Sequence, residues 1–136
     1  MRILGSSASP FVAKARMAAI VCGIEAEFVS VDTIDPDDTL LSANPLGKIP
    51  VLISDDGVSI FDSTVICEFF DRSSGNQLIP QTLEDFTRTR TFEAAVTGVT
   101  EALVLCIYEE RFRPEEKRHT AWTDRQMAKA DRKSVV

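Results

Sequence analysis

Two short serine-containing segments carry groups whose types and spacing suit work on a charged ligand. In the first, Ser9-Pro10 stands at the entry to an apolar-periodic run. Serine followed by proline fits an N-cap and first helical position, because proline has no amide hydrogen to leave unsatisfied there. The hydroxyl of Ser9 either closes that helix end or donates to an anion that the helix dipole also favours. Ser6 and Ser7 are weaker candidates for the same part. In the second segment, Asp62-Ser63 precedes another apolar run. A carboxylate there pairs with an ammonium, while a serine hydroxyl and amide at a helix start hold a carboxylate. Its bland reading is an ordinary N-cap, which is compatible with binding. Between the two lies Lys48-Ile49-Pro50, where Pro50 taken alone is a strand-start proline and Lys48 a surface lysine.

Other reactive side chains invite less. Cys22, Cys67 and Cys106 are widely spaced, odd in number and set among apolar residues in helical segments, as small buried hydrophobes are. They make no disulfide framework, zinc spacing or C-x-x-C, so a reducing cytoplasm is expected and no metal is. His119 stands alone in a polar stretch, and the acidic run Asp35, Asp37, Asp38 reads as a solvated loop. The 136 residues are 44% hydrophobic and 26% charged, which suits a globular protein with a real core. A net charge of −6 would repel a phosphate backbone, so nucleic acid is not expected as a partner. No membrane is expected either. The longest apolar stretch, Met17 to Ile24, is too short to span a bilayer, and Lys14 and Arg16 interrupt any signal-like opening.

The elements that must position these groups follow from local patterning. Arg2 to Gly5 is a short apolar opening, and a helix runs from Ser9-Pro10 to Gly23 with Val12, Ala15, Ala19 and Cys22 on one stripe. Glu27 to Val31 alternates like a strand, and Asp35 to Leu41 is a loop with room for one helical turn. Pro50 to Ser54 and Val58 to Phe61 are strands joined by Asp55-Asp56-Gly57, a strong hairpin signal. Asp62 or Ser63 caps a helix ending near Ser73, with Val65, Ile66, Phe69 and Phe70 as its apolar face. The order β-α-β-(α)-β-β-α indicates an α/β fold, a mixed sheet with flanking helices. Through Pro80 there are five Lys+Arg against eleven Asp+Glu; from Gln81 there are ten of each. Together with the polar loop Ser73 to Gln77, this puts a domain boundary near Ile79-Pro80, giving domains 1–80 and 81–136. Leu83 to Arg111 keeps helical spacing through Phe92, Ala95, Val96, Val99, Ala102, Leu103, Cys106 and Ile107, and a second helix begins near Thr120.

That order resembles the cytosolic glutathione transferase family. The resemblance is carried by Asn44-Pro45-Leu46-Gly47-Lys48-Ile49-Pro50-Val51-Leu52 before the hairpin and Phe61-Asp62-Ser63 after it. The opening Ser9-Pro10-Phe11, with Lys14 and Arg16, is most similar to bacterial members with serine in the first loop. The resemblance covers residues 1–80 densely. It implies a thioredoxin-like first domain and the start of an all-helical second one. It also implies glutathione as co-substrate, no metal, a small electrophile, cytoplasmic detoxification and a homodimer. Ser9 would be the catalytic residue. A thiol with pKa near 8.5 must ionise to attack, and lowering that by about two units takes roughly 2.7 kcal/mol of thiolate stabilisation. The Ile49–Pro50 bond would be cis, letting Ile49 exchange backbone hydrogen bonds with the cysteinyl unit as an added strand would. Asp62 and Ser63 would hold the γ-glutamyl zwitterion, and Lys48 is placed to meet the glycyl carboxylate.

The resemblance also implies more helices than Leu83 to Val136 supplies. A fragment or frameshifted product, a domain completed by another subunit, and a reduced protein all answer that expectation. Lys133-Ser134-Val135-Val136, which breaks the helical pattern, leans to the first. Two functional classes therefore stay open: a conjugating transferase, and a non-catalytic glutathione-binding or regulatory module. A glutathione-dependent reductase fits less well, because the first loop has serine and no cysteine.

Overall fold

The computed structural model describes residues 1–132; the Lys133-Ser134-Val135-Val136 segment lies outside them. The chain divides into two compact units, Met1–Pro80 and the stretch from Gln81 onward.

The first unit is built on a four-stranded mixed sheet in the order β2-β1-β3-β4. Its strands are β1 (Arg2–Gly5), β2 (Glu27–Ser30), β3 (Val51–Ile53) and β4 (Ser59–Ile60). β1 and β2 are parallel, joined through helix α1 (Pro10–Val21). β3 runs antiparallel to both β1 and β4. Gly57, at φ 79°, makes the tight β3–β4 turn that an L side chain would strain, and its amide bonds the Ser54 carbonyl. Helix α3 (Ser63–Ser73) packs beside α1, and together they cover one sheet face. That core joins Ile3, Val12, Ala15, Ala19, Leu52, Ile66 and Phe70. Leu4, Leu40, Ala43 and Val51 form a second cluster on β1, β3 and helix α2 (Asp38–Ala43). Alternation along the strands explains the division, since Ile3 and Leu4 point to opposite faces. This is a thioredoxin-like α/β fold, followed by helices.

The sequence reading departs from the structure in three places here. The acidic run is not merely a loop: Asp37 caps α2, its side chain accepting from the Leu40 amide at 2.9 Å. The optional helix of the expected order is present as α2 and runs on to Ala43; with less than two turns of pattern, periodicity alone does not set its bounds. On α3, the buried face holds Ile66, Cys67 and Phe70, while Val65 stays 46% exposed. On α1, Ala18 is buried along with the expected stripe.

The unit ends in a loop held by a buried acid. Asp71 is 2% exposed, and its Oδ1 accepts from the amides of Leu78 (2.6 Å) and Ile79 (3.1 Å). Gly75 and Asn76 both take positive φ in this turn, and the Asn76 amide bonds the Asp71 carbonyl.

The second unit comprises helix α4 (Leu83–Phe112), a 3-10 turn (Glu115–Lys117) and helix α5 (Thr120–Asp131). Thr82 caps α4 by accepting from the Asp85 amide. α5 is capped by His119, whose Nδ1 accepts from the Trp122 amide at 3.1 Å. The 6% exposed Glu109 joins the two helices: Oε1 accepts from the His119 amide at 2.9 Å, and Oε2 pairs with Arg113 at 2.9 Å. The expected apolar stripe does not become a buried seam among the described residues. Ala102 is buried, while Phe92, Val96, Leu103 and Ile107 remain exposed. By length and composition α4 also meets the criterion for crossing a bilayer, with an 18-residue window of mean hydropathy 1.4. The Met17 to Ile24 comparison misses this because it counts only uninterrupted apolar residues, and Thr, Gly and two glutamates interrupt those of α4.

Candidate functional site

The register brings three separate loops to one end of the sheet. Leu4, next to the end of β1, pairs with Val51 at the start of β3. Leu52 pairs with Ile60 at the end of β4. Three segments therefore share that end: the loop leaving β1 for Ser9, the Lys48-Ile49-Pro50 approach to β3, and the Phe61-Asp62-Ser63 exit from β4. Residues up to fifty-odd positions apart in sequence come to that one end because β3 is antiparallel to both neighbours.

Ser9 is the N-cap of α1, with φ −82°, ψ 122°, and its Oγ accepts from the Val12 amide at 3.4 Å. Accepting that bond leaves the hydroxyl proton available for a second partner. The loop returns tightly onto β1, and Gly5 permits it: a Cβ there would lie 2.6 Å from Val12 Cγ2.

The Ile49–Pro50 peptide is cis, as the resemblance implies, and so is Phe61–Asp62. Pro50 is buried, Ile49 half-buried and Lys48 exposed. Asn44 holds this segment in place. It is 2% exposed; its Nδ2 donates to the Lys48 carbonyl at 2.9 Å, and its Oδ1 accepts from the Leu46 amide at 3.0 Å. Its own carbonyl accepts from the amide of Gly47, which sits at φ 60°. Sequence reasoning placed Asn44 in a motif without giving it work; an asparagine before Pro45 was the available signal.

Asp62 is the exposed N-cap of α3, and its Oδ1 accepts from the amides of Thr64 (2.9 Å) and Val65 (3.4 Å). Both bonds fall on one oxygen, leaving the other outside the cap. The Ile66 amide bonds the Asp62 carbonyl. The Ser63 amide, at the first helical position, stands outside this set, as first-turn amides do until a ligand or water meets them. Ser63 itself is 5% exposed. A further link reaches this turn from α1, where Lys14 Nζ donates to Thr64 Oγ1 at 3.3 Å.

The remaining groups stand apart. Cys22 and Cys67 are buried and Cys106 is half-buried, its Sγ 3.7 Å from the Thr123 carbonyl. Among the described residues no cluster of three or more His, Cys, Asp or Glu is arranged to hold a metal ion. An open depression beside Leu83, Glu84, Thr87 and Arg88 contains none of the site residues.

Residues 8–73 match the family model of the glutathione S-transferase N-terminal domain. An uncharacterised GST-like protein of Escherichia coli K12, YibF, is 32% identical over 81% of this chain and 55% of its own length. Among solved structures, a glutathione S-transferase from Methylobacillus flagellatus with GSH bound superposes with a TM-score of 0.89. It is 39% identical, over 96% of this chain and 65% of that one. A glutathione transferase family member from Pseudomonas fluorescens Pf-5 with bound glutathione gives 0.86 at 34% identity, over 96% and 66%. Residues 8–73 belong to the glutathione S-transferase N-terminal domain family, and the chain as a whole is similar to glutathione transferases. It spans little more than half the length of YibF and about two-thirds of these structures.

Proposed function

We propose that residues 1–80 bind glutathione at the sheet end shared by Ser9, Ile49 and Asp62-Ser63. The convergence of those three loops is the observation that carries the reading. Ser9 donates its hydroxyl proton to the glutathione sulfur and stabilises the thiolate, with the α1 dipole acting on the same anion. Ile49 pairs its backbone with the cysteinyl unit, Pro50 shapes that approach, and Lys48 meets the glycyl carboxylate. The free oxygen of Asp62 takes the γ-glutamyl ammonium, and the Ser63 amide and hydroxyl take its carboxylate. The reaction is attack of the thiolate on a small electrophile, without a covalent enzyme intermediate. The second unit contributes to the electrophile pocket and to a homodimer, and the setting is a reducing cytoplasm. The presence of GSH in the Methylobacillus flagellatus structure supports the choice of co-substrate.

Calorimetric titration with glutathione, repeated on Ser63→Ala, tests the binding half. Saturable binding that weakens in the variant is expected, and no binding by the folded chain would overturn the reading. Conjugation of a model aryl halide by wild type and Ser9→Ala tests the chemistry. A variant as fast as wild type would remove Ser9 from the mechanism, and binding without turnover across a panel of electrophiles would leave a binding module instead.

A further inference from the structure

The link from Lys14 to α3 has no part in the site as assigned so far. Lys14 stands in the second turn of the helix that Ser9 caps, and its ammonium is held on Thr64 in the first turn of α3. It has a further interaction besides this one. A cation is disfavoured at a helix N-terminus, because the dipole places positive charge there already. Holding a flexible, strongly hydrated lysine at that place calls for negative charge nearby. Asp62 brings one negative charge to the same helix start, with Oδ1 committed to the Thr64 and Val65 amides. Around a single helical turn the fold thus sets a carboxylate at Asp62, the amide and hydroxyl of Ser63, and an ammonium on Thr64. A zwitterion whose ammonium faces Asp62 and whose carboxylate faces Ser63 matches that arrangement in one orientation only.

We infer that Lys14 is a positioning residue for the γ-glutamyl carboxylate, acting through Thr64. This rests on the glutathione reading above. The Thr64 hydroxyl accepts from Lys14 and keeps its own proton to donate toward the carboxylate, so the lysine both orients and polarises that donor. Lys14 thereby fixes which way round the zwitterion sits.

The test titrates the full chain and Lys14→Met with two ligands. One is glutathione; the other is its analogue with γ-aminobutyryl in place of γ-glutamyl, which keeps the ammonium and lacks the α-carboxylate. Lys14→Met is expected to weaken glutathione by about three- to tenfold, as one nearby partly screened charge does, and to leave the analogue within about twofold. Lys14→Arg restores most of the glutathione affinity, and the loss shrinks as salt is raised. Equal weakening of both ligands would make Lys14 a structural tie between α1 and α3 and overturn the inference, as would no weakening of either. Should the analogue bind too weakly to titrate, a Lys14→Met and Thr64→Val cycle with glutathione decides: sub-additive losses support the relay and additive ones refute it. If wild type binds neither ligand, the glutathione reading itself has failed, independently of any Lys14 variant.

Discussion

Replacing Asn44 by alanine strikes the candidate site without touching a residue proposed to meet the ligand. The side chain is 2% exposed and ties together the loop that presents Ile49 through two hydrogen bonds, to the Lys48 carbonyl and from the Leu46 amide. Each such bond contributes about 0.5–1.5 kcal/mol net, and a backbone group left buried without a partner costs about 1–3 kcal/mol. Alanine removes both bonds at once, and because Leu46 and Lys48 are exposed residues that water reaches, the expected loss is the sum of the two bonds, about 1–3 kcal/mol. For a unit of this size, 2 kcal/mol lowers the melting temperature by roughly 8–16 °C. Urea unfolding followed by far-UV circular dichroism reads the loss as a lower midpoint at unchanged slope. Hydrogen exchange at the Leu46 amide gives the local readout, with protection falling in the variant. Asn44→Asp separates the two bonds, because it keeps an acceptor for Leu46 while turning an oxygen toward the Lys48 carbonyl. Glutathione affinity should fall in both variants even under conditions where they are fully folded. A variant within about 0.5 kcal/mol of wild type, with Leu46 still protected, would refute the role given to Asn44.

Three further substitutions probe what holds each unit together. Gly5→Ala puts a Cβ 2.6 Å from Val12 Cγ2 and should cost about 1–3 kcal/mol in chemical denaturation; in a Val12→Ala background the cost should largely vanish, and a full cost there would point elsewhere. Asp71→Ala strips a charged acceptor from the Leu78 and Ile79 amides and should lower stability by about 2–4 kcal/mol, whereas Asp71→Asn, which retains an oxygen, should lose less. Exchange rates at those two amides check it. Glu109→Ala frees the His119 amide and Arg113, so α5 should loosen at lower denaturant than α4, seen as an early change in Trp122 fluorescence; coincident loss of both helices would contradict the clamp.

Much of the first unit was legible because its signals are local. A serine before a proline, an aspartate two and three residues ahead of the amides it caps, and Asp55-Asp56-Gly57 between apolar runs each settle their geometry within four or five residues. The apolar stripe of α4 was legible as a period, yet period says only which residues share a face. It does not say what that face meets, and among the described residues Phe92, Val96, Leu103 and Ile107 remain exposed. The single buried carboxylate on that helix, Glu109, follows from its ten-residue reach to His119 and from nothing in the helical pattern.

What the sequence alone determined is where elements start and turn, and that serine, proline and an Asp-Ser pair stand at those starts. Capping and turn formation are decided between neighbours along the chain, so residue type suffices. Only the tertiary structure decided that the three starts share one end of the sheet. That outcome depends on β3 running antiparallel to both β1 and β4, a choice made by pairing rather than by any one segment. It also decided that Asn44 turns inward to clamp its own loop, and that Lys14 crosses from α1 to α3. These are contacts whose free energy comes from groups far apart in sequence, brought together by the burial of a common core.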